Sequence, residues 1–68
     1  MHLKRIRELR EDHDLTQEQM GNILNISQRT YSRYENNERS IPLEILIKIA
    51  NYYNVSLDYL VERSNEKL

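Results

Sequence analysis

Three times in 68 residues the same local device recurs: a Ser or Thr preceded by an aliphatic residue and followed four positions later by a large apolar one. The sets are Leu15-Thr16 with Met20, Ile26-Ser27 with Tyr31, and Val55-Ser56 with Leu60. A hydroxyl so placed accepts a backbone N–H from the first turn of a helix. The two apolar side chains close over it and fix the angle at which the chain turns into that helix. At the first set Gln19 completes a capping box, since its side chain can reach back to the backbone N–H of Thr16. A chain with three such starts is committed to short helices.

Composition removes the alternatives. One Gly and one Pro are too few turn-formers for a many-stranded sandwich or barrel, and 38% hydrophobic with 31% charged residues excludes collagen-like and largely disordered chains. There is no Cys, so neither a disulfide nor a thiolate metal site can staple the fold. A chain this short buries only about 60% of its unfolded surface. Its core must therefore come from close helix packing, and residues 1–68 are predicted to form one domain. No stretch approaches the ~20 apolar residues that span a bilayer. Met1-His2-Leu3-Lys4-Arg5 carries charge where a signal peptide needs an apolar run, so an intracellular, cytoplasmic protein is expected.

Periodicity predicts five helices, at about 2–12, 17–24, 28–36, 42–53 and 57–63, and no strand. In the first, Leu3, Ile6 and Leu9 form the apolar stripe, and Arg10 falls within it. A guanidinium there needs a partner, because an unpaired buried charge is costly. The second stops near Asn25, a residue tolerated at positive φ. The fourth starts at Pro42, which suits a first helical turn. It is apolar over a wide arc: Leu43, Leu46, Ile47, Ala50 and Tyr53 make one stripe, and Ile45, Ile49 and Tyr52 extend it. Two accounts stay open, one in which this helix buries both sides and one in which its extra stripe forms a dimer contact.

The third helix carries the chemistry. Thr30, Tyr31 and Tyr34 share an inner face, while Gln28, Arg29, Ser32 and Arg33 share the other. Arg pairs with the O6/N7 edge of guanine, Gln with the N6/N7 edge of adenine, and Ser with several bases. On composition alone an ordinary solvated face is equally open. The formal net charge is −1, yet its distribution is uneven. Residues 1–10 are basic, residues 11–18 acidic through Glu11, Asp12, Asp14 and Glu18, and residues 27–39 slightly basic through Arg29, Arg33 and Arg39. His13 in the acidic run lacks the second ligand pair of a metal site; it is expected to cap the first helix or to be solvated. No metal, cofactor or enzymatic activity is predicted, since there is no Gly-rich phosphate loop and no nucleophile beside a base.

From Gln17 to Tyr34 the order is Met20, Gly21, Leu24, Asn25, Ile26, Tyr31, Tyr34, which is that of two helices crossing steeply over a small residue. With Leu15-Thr16-Gln17, Asn25-Ile26-Ser27-Gln28, Tyr31-Ser32-Arg33-Tyr34-Glu35-Asn36-Asn37, Ile49-Ala50 and Val55-Ser56-Leu57-Asp58, the chain resembles the phage repressor/Cro-type (XRE-like) helix-turn-helix family. The resemblance implies an all-α, five-helix, lambda-repressor-like domain that binds double-stranded DNA as a small prokaryotic or phage transcriptional regulator. It implies base contacts from Gln28, Arg29, Ser32 and Arg33. Phosphate contacts would come from Gln17, Ser27, Asn36 and Arg39, and a structural ion pair would join Arg10 and Glu35. It is compatible with a homodimer through the fourth and fifth helices (Ile45, Ile49, Tyr52, Tyr59, Val61) on a palindromic operator. Gly21, Asn25 and Asn37 depart from the family's usual Ala, Gly and Gly, and the acidic stretch is expected to face away from DNA. The alternative function is a protein-interaction module, a repressor-like or antitoxin-like partner of another protein.

Overall fold

The computed structural model describes residues 4–61. They form α1 (Lys4–Asp12), α2 (Gln17–Leu24), α3 (Gln28–Glu35), α4 (Leu43–Tyr53) and α5 (Leu57–Leu60), with no strand among the described residues. None of these helices is long and apolar enough to cross a membrane. Leu3, at the start of the predicted first stripe, and Glu62 and Arg63, at the end of the predicted fifth helix, lie outside the described residues.

All three hydroxyl caps are formed. Thr16 accepts from the Gln19 backbone at 3.1 Å while the Gln19 amide oxygen accepts the Thr16 N–H at 2.8 Å. Ser27 and Ser56 accept the N–H of Thr30 and Tyr59. The helix ends are equally uniform. After α1, α2, α3 and α4 the chain passes through Asp14, Asn25, Asn37 and Asn54, each at φ between 54 and 60°. At each, the next residue's N–H returns to a carbonyl in the last helical turn: Leu15 to Arg10, Ile26 to Gly21, Glu38 to Arg33, and Val55 to Ala50, all within 3.0 Å. This closes the carbonyls that a helix end leaves unpaired.

The core is formed by Ile6 and Leu9 of α1, Met20 and Leu24 of α2, Tyr31 and Tyr34 of α3, Ile49, Ala50 and Tyr53 of α4, and Val55 and Leu60. The Tyr53 hydroxyl donates to the Met20 sulfur at 3.2 Å, joining α4 to α2 inside it. Gly21 stands where α2 meets the turn into α3, and the space beside it is tight. A Cβ built there would stand 3.0 Å from the Ile26 carbonyl oxygen and 3.2 Å from the Gln28 nitrogen.

Three details differ from the sequence expectation. Pro42 precedes α4 as its N-cap: its ψ of 147° is extended, and its carbonyl accepts from Ile45 and Leu46. α3 ends at Glu35, with Asn36 as its C-cap. α4 is also turned about its axis relative to the expected stripe. Ile49 is fully buried, whereas Leu43 and Ile47 are 60% and 43% exposed. The helix is apolar nearly all round, so packing into the shared core, rather than periodicity, decides which face goes in. Ile49 is therefore a core residue and cannot be a dimer contact.

The left-handed turns make the fold testable at a site remote from α3. Asn54→Gly should raise the unfolding free energy by about 0.5–1 kcal/mol, and Asn54→Val should lower it by about 1–2 kcal/mol. Thermal unfolding followed by circular dichroism reads both; equal Tm values for the two variants would contradict the turn.

Candidate nucleic-acid interface

The interface is built from a buried charge outward. Arg10 of α1 meets Glu35 of α3 through two hydrogen bonds, Nε to Oε2 at 2.7 Å and Nη2 to Oε1 at 3.1 Å. Its remaining Nη1 donates to the Leu15 carbonyl at 2.8 Å. Glu35 is only 4% exposed. Its Oε1 also accepts from Nε2 of Gln17, at 3.2 Å, at the start of α2. One carboxylate thus joins three helices. Because a carboxylate only accepts, it also decides which end of the Gln17 amide faces inward, and the second N–H of that amide remains for an outside acceptor.

Burial pushes the Glu35 carboxyl up, but Arg10, the nearby Tyr31 hydroxyl and Gln17 together outweigh it and hold the group below the ordinary carboxylate range. The same hydrogen bond raises Arg10 further above its already high value. The buried Tyr31 hydroxyl makes no hydrogen bond of ordinary geometry. It lies near enough to the carboxylate to be pushed up, by burial first and by Glu35 second.

Around this base, Gln17, Gln28, Arg29, Ser32, Arg33 and Glu38 line one open groove of about 660 Å³. Gln28 and Arg29 are exposed, and Ser32 and Arg33 are half-buried. The wheel expected four of these on one face; the fold adds Gln17 from α2 and Glu38 from the loop after α3. Glu38 was missed by sequence reasoning. Its signal is Asn37, whose left-handed turn brings the chain back so that the Glu38 N–H meets the Arg33 carbonyl at 2.9 Å.

Ser27, Asn36 and Arg39 are exposed but are not among the groove's lining residues. The Ser27 hydroxyl is occupied in capping and donates to the Thr30 Oγ1 at 2.9 Å. The Asn36 amide nitrogen faces the Ser32 hydroxyl and the Glu38 carboxylate, each at 3.4 Å. Both bonds are long enough that a phosphate oxygen would replace them at small cost. At the α2 start, the Thr16 cap takes the Gln19 N–H and leaves the first two amides of the helix without an intrahelical acceptor, a setting that favours an anion.

Three acidic residues of α1 sit elsewhere. Glu8, Glu11 and Asp12 line a separate recess with Arg5, Leu9 and Tyr59, which shares no residue with the groove. Arg5 stacks over the Tyr59 ring at 4.1 Å and donates to its carbonyl oxygen at 2.8 Å. His13 caps the end of α1, one of its two expected roles: Nδ1 donates to the Leu9 carbonyl, and its ring lies 4.9 Å from that of Tyr53.

Comparison with known proteins places this geometry. A family model described as helix-turn-helix matches residues 6–60. An uncharacterized HTH-type transcriptional regulator of Bacillus subtilis, YobD, is 38% identical over 61 residues, covering 90% of this chain and 54% of that protein. The antitoxin PezA of Streptococcus pneumoniae is 43% identical over 53 residues, 78% of this chain and 34% of its own. The crystal structure of the P22 c2 repressor protein in complex with synthetic operator 9T superposes with a TM-score of 0.82 at 25% identity. That match covers 94% of this chain and 98% of that one. The chain spans about half the length of the curated relatives it matches.

Glu35 makes the interface's foundation sensitive to acid. Its carboxyl is held below its ordinary value, so the stability it supplies is complete above about pH 4.5 and is lost as pH falls through the folded value. Glu35→Gln should cost about 2–4 kcal/mol at pH 7, because Arg10 is left with a half-buried, unpaired charge. Urea unfolding at pH 7 and pH 3 should show the gap between wild type and variant narrowing in acid. A gap of the same size at both pH values would rule out an ionised, paired Glu35.

Proposed function

Since the chain belongs to the helix-turn-helix family, we propose that residues 1–68 form a single sequence-reading DNA-binding domain of a transcriptional regulator, which lays α3 in the major groove. The observation that carries this is the groove itself. Side chains able to pair with base edges (Gln28, Arg29, Ser32 and Arg33) converge on one open surface, beside a helix start suited to a phosphate. Gln17, held by Glu35, turns its free N–H outward to the backbone. Ser27, Asn36 and Arg39 flank α3 and complete the phosphate contacts. Arg29, Arg33 and Arg39 concentrate positive charge here although the whole chain carries −1. The work is binding, not catalysis, and its setting is the cytoplasm where the DNA is.

Two such domains would read two half-sites about 34 Å apart on a palindromic operator. Ile45, Tyr52, Tyr59 and Val61 are the residues proposed to join them; of these Tyr52 is the most open, at 47% exposed.

One observation favours a second reading. Leu43, Ile47 and Tyr52 leave apolar surface on α4, and an antitoxin is among the relatives, so a protein partner could be the principal ligand. Salt response separates the two. Six to eight phosphate contacts give a log–log slope of about −5 to −7, whereas an apolar protein contact is nearly flat.

The deciding experiment is selection of bound duplexes from a random library, followed by titration of the winner at several salt concentrations. An enriched palindrome with a steep slope supports the reading, and no enrichment overturns it. On the selected sequence Arg33→Ala should cost about 1–3 kcal/mol and relax one base position. Arg39→Ala should weaken all sequences alike and reduce the salt slope by about 1. Equal loss on selected and scrambled DNA for Arg33→Ala would remove it from base reading.

A further inference from the structure

Glu38 has no evident place in a surface that binds a polyanion. It is the one carboxylate among the residues lining the groove, facing the same space as Arg29 and Arg33. It does not neutralise them, for among the described residues Glu38 has no ion-pair partner. Nor is it adrift. The left-handed Asn37 and the bond from the Glu38 N–H to the Arg33 carbonyl fix its backbone against the end of α3. Its Oε2 accepts from Asn36 at 3.4 Å, and Asn36 in turn reaches Ser32 on the reading face. Oε1 is left for an outside donor.

A carboxylate brought against DNA is repelled by phosphates whatever the sequence. The only donors that can compensate it in the major groove are the exocyclic amino groups of cytosine and adenine. Adenine places the N7 acceptor beside its amino group, so a second carboxylate oxygen meets a lone pair there. Cytosine places a C–H beside its N4 amino group. A charged acceptor therefore favours cytosine, and this agrees with the general preference of Glu and Asp for cytosine N4.

Resting on the DNA-reading function above, we infer that Glu38 is a specificity determinant that accepts a hydrogen bond from the N4 amino group of one operator cytosine and weakens binding wherever that amino group is missing. It adds little to affinity. It widens the gap between the operator and all other DNA.

The test is selection from one random duplex library with wild type, Glu38→Ala and Glu38→Gln, followed by titration on the wild-type winner and a scrambled duplex. Glu38 is exposed and outside the core, and circular dichroism of each variant serves as the check on folding. Wild type should demand cytosine at one position per half-site. Glu38→Ala should lose preference at that position alone and bind scrambled DNA more tightly, so that the ratio of operator to scrambled affinity falls about tenfold. Glu38→Gln should change the preference there from cytosine to adenine, the partner of a neutral amide. If both variants select the wild-type sequence with unchanged preferences, the inference is overturned while the DNA-reading function stands. If wild type itself selects nothing, that function fails and Glu38's role with it.

Discussion

The pair between Arg10 and Glu35 is the constraint on which the rest of the structure depends. Taking a carboxylate to 4% exposure is expensive, and burying an ion pair is not in general a route to stability. Its effect here is positional. Two hydrogen bonds of 2.7 and 3.1 Å fix the guanidinium and carboxylate planes, and with them the placement of α1 against α3. The third bond, from Gln17, brings the start of α2 to the same carboxylate. The reading face of α3 and the proposed phosphate anchor of α2 are thereby held by a single side chain. The Tyr31 hydroxyl, buried beside it, belongs to the same electrostatic unit.

Around that unit the fold uses one solution repeatedly. Four successive helices end in a left-handed Asp or Asn, although glycine would adopt that conformation with less strain. The only Gly is used instead at position 21, where backbone from the α2–α3 turn comes within 3.0 Å of a built Cβ. The same turn geometry has a consequence at the interface, since the Asn37 turn brings Glu38 back over the end of α3.

What could be read from the sequence follows how local each cause is. Helix starts at Thr16, Ser27 and Ser56 depend on residues within one turn, so they and the end at Asn25 were legible. The α3 face bearing Gln28, Arg29, Ser32 and Arg33 follows from helical geometry and is likewise local. The orientation of α4 was not legible. Leu43, Ile47 and Ile49 are equally apolar, and only tertiary packing sends Ile49 inward and leaves the other two outside. Glu38 was overlooked for the same reason: it enters the groove through a turn and shares no helical face with its neighbours there. The partner of Arg10 could be demanded by physics from its place in the α1 stripe. Its identification as Glu35 came from family resemblance, because no spacing rule links residues so far apart in the chain.

On the proposed function, the surface organised by Glu35, and not the apolar flank of α4, meets the principal ligand. Titrating the isotopically labelled protein with its selected DNA duplex, and following backbone amide resonances, tests this most directly. The largest shifts should fall on Gln17 and Glu18, on Gln28 through Arg33, and on Asn36 through Arg39, with the acidic end of α1 unmoved. Shifts centred on Leu43, Ile47 and Tyr52, with α3 unperturbed, would contradict it.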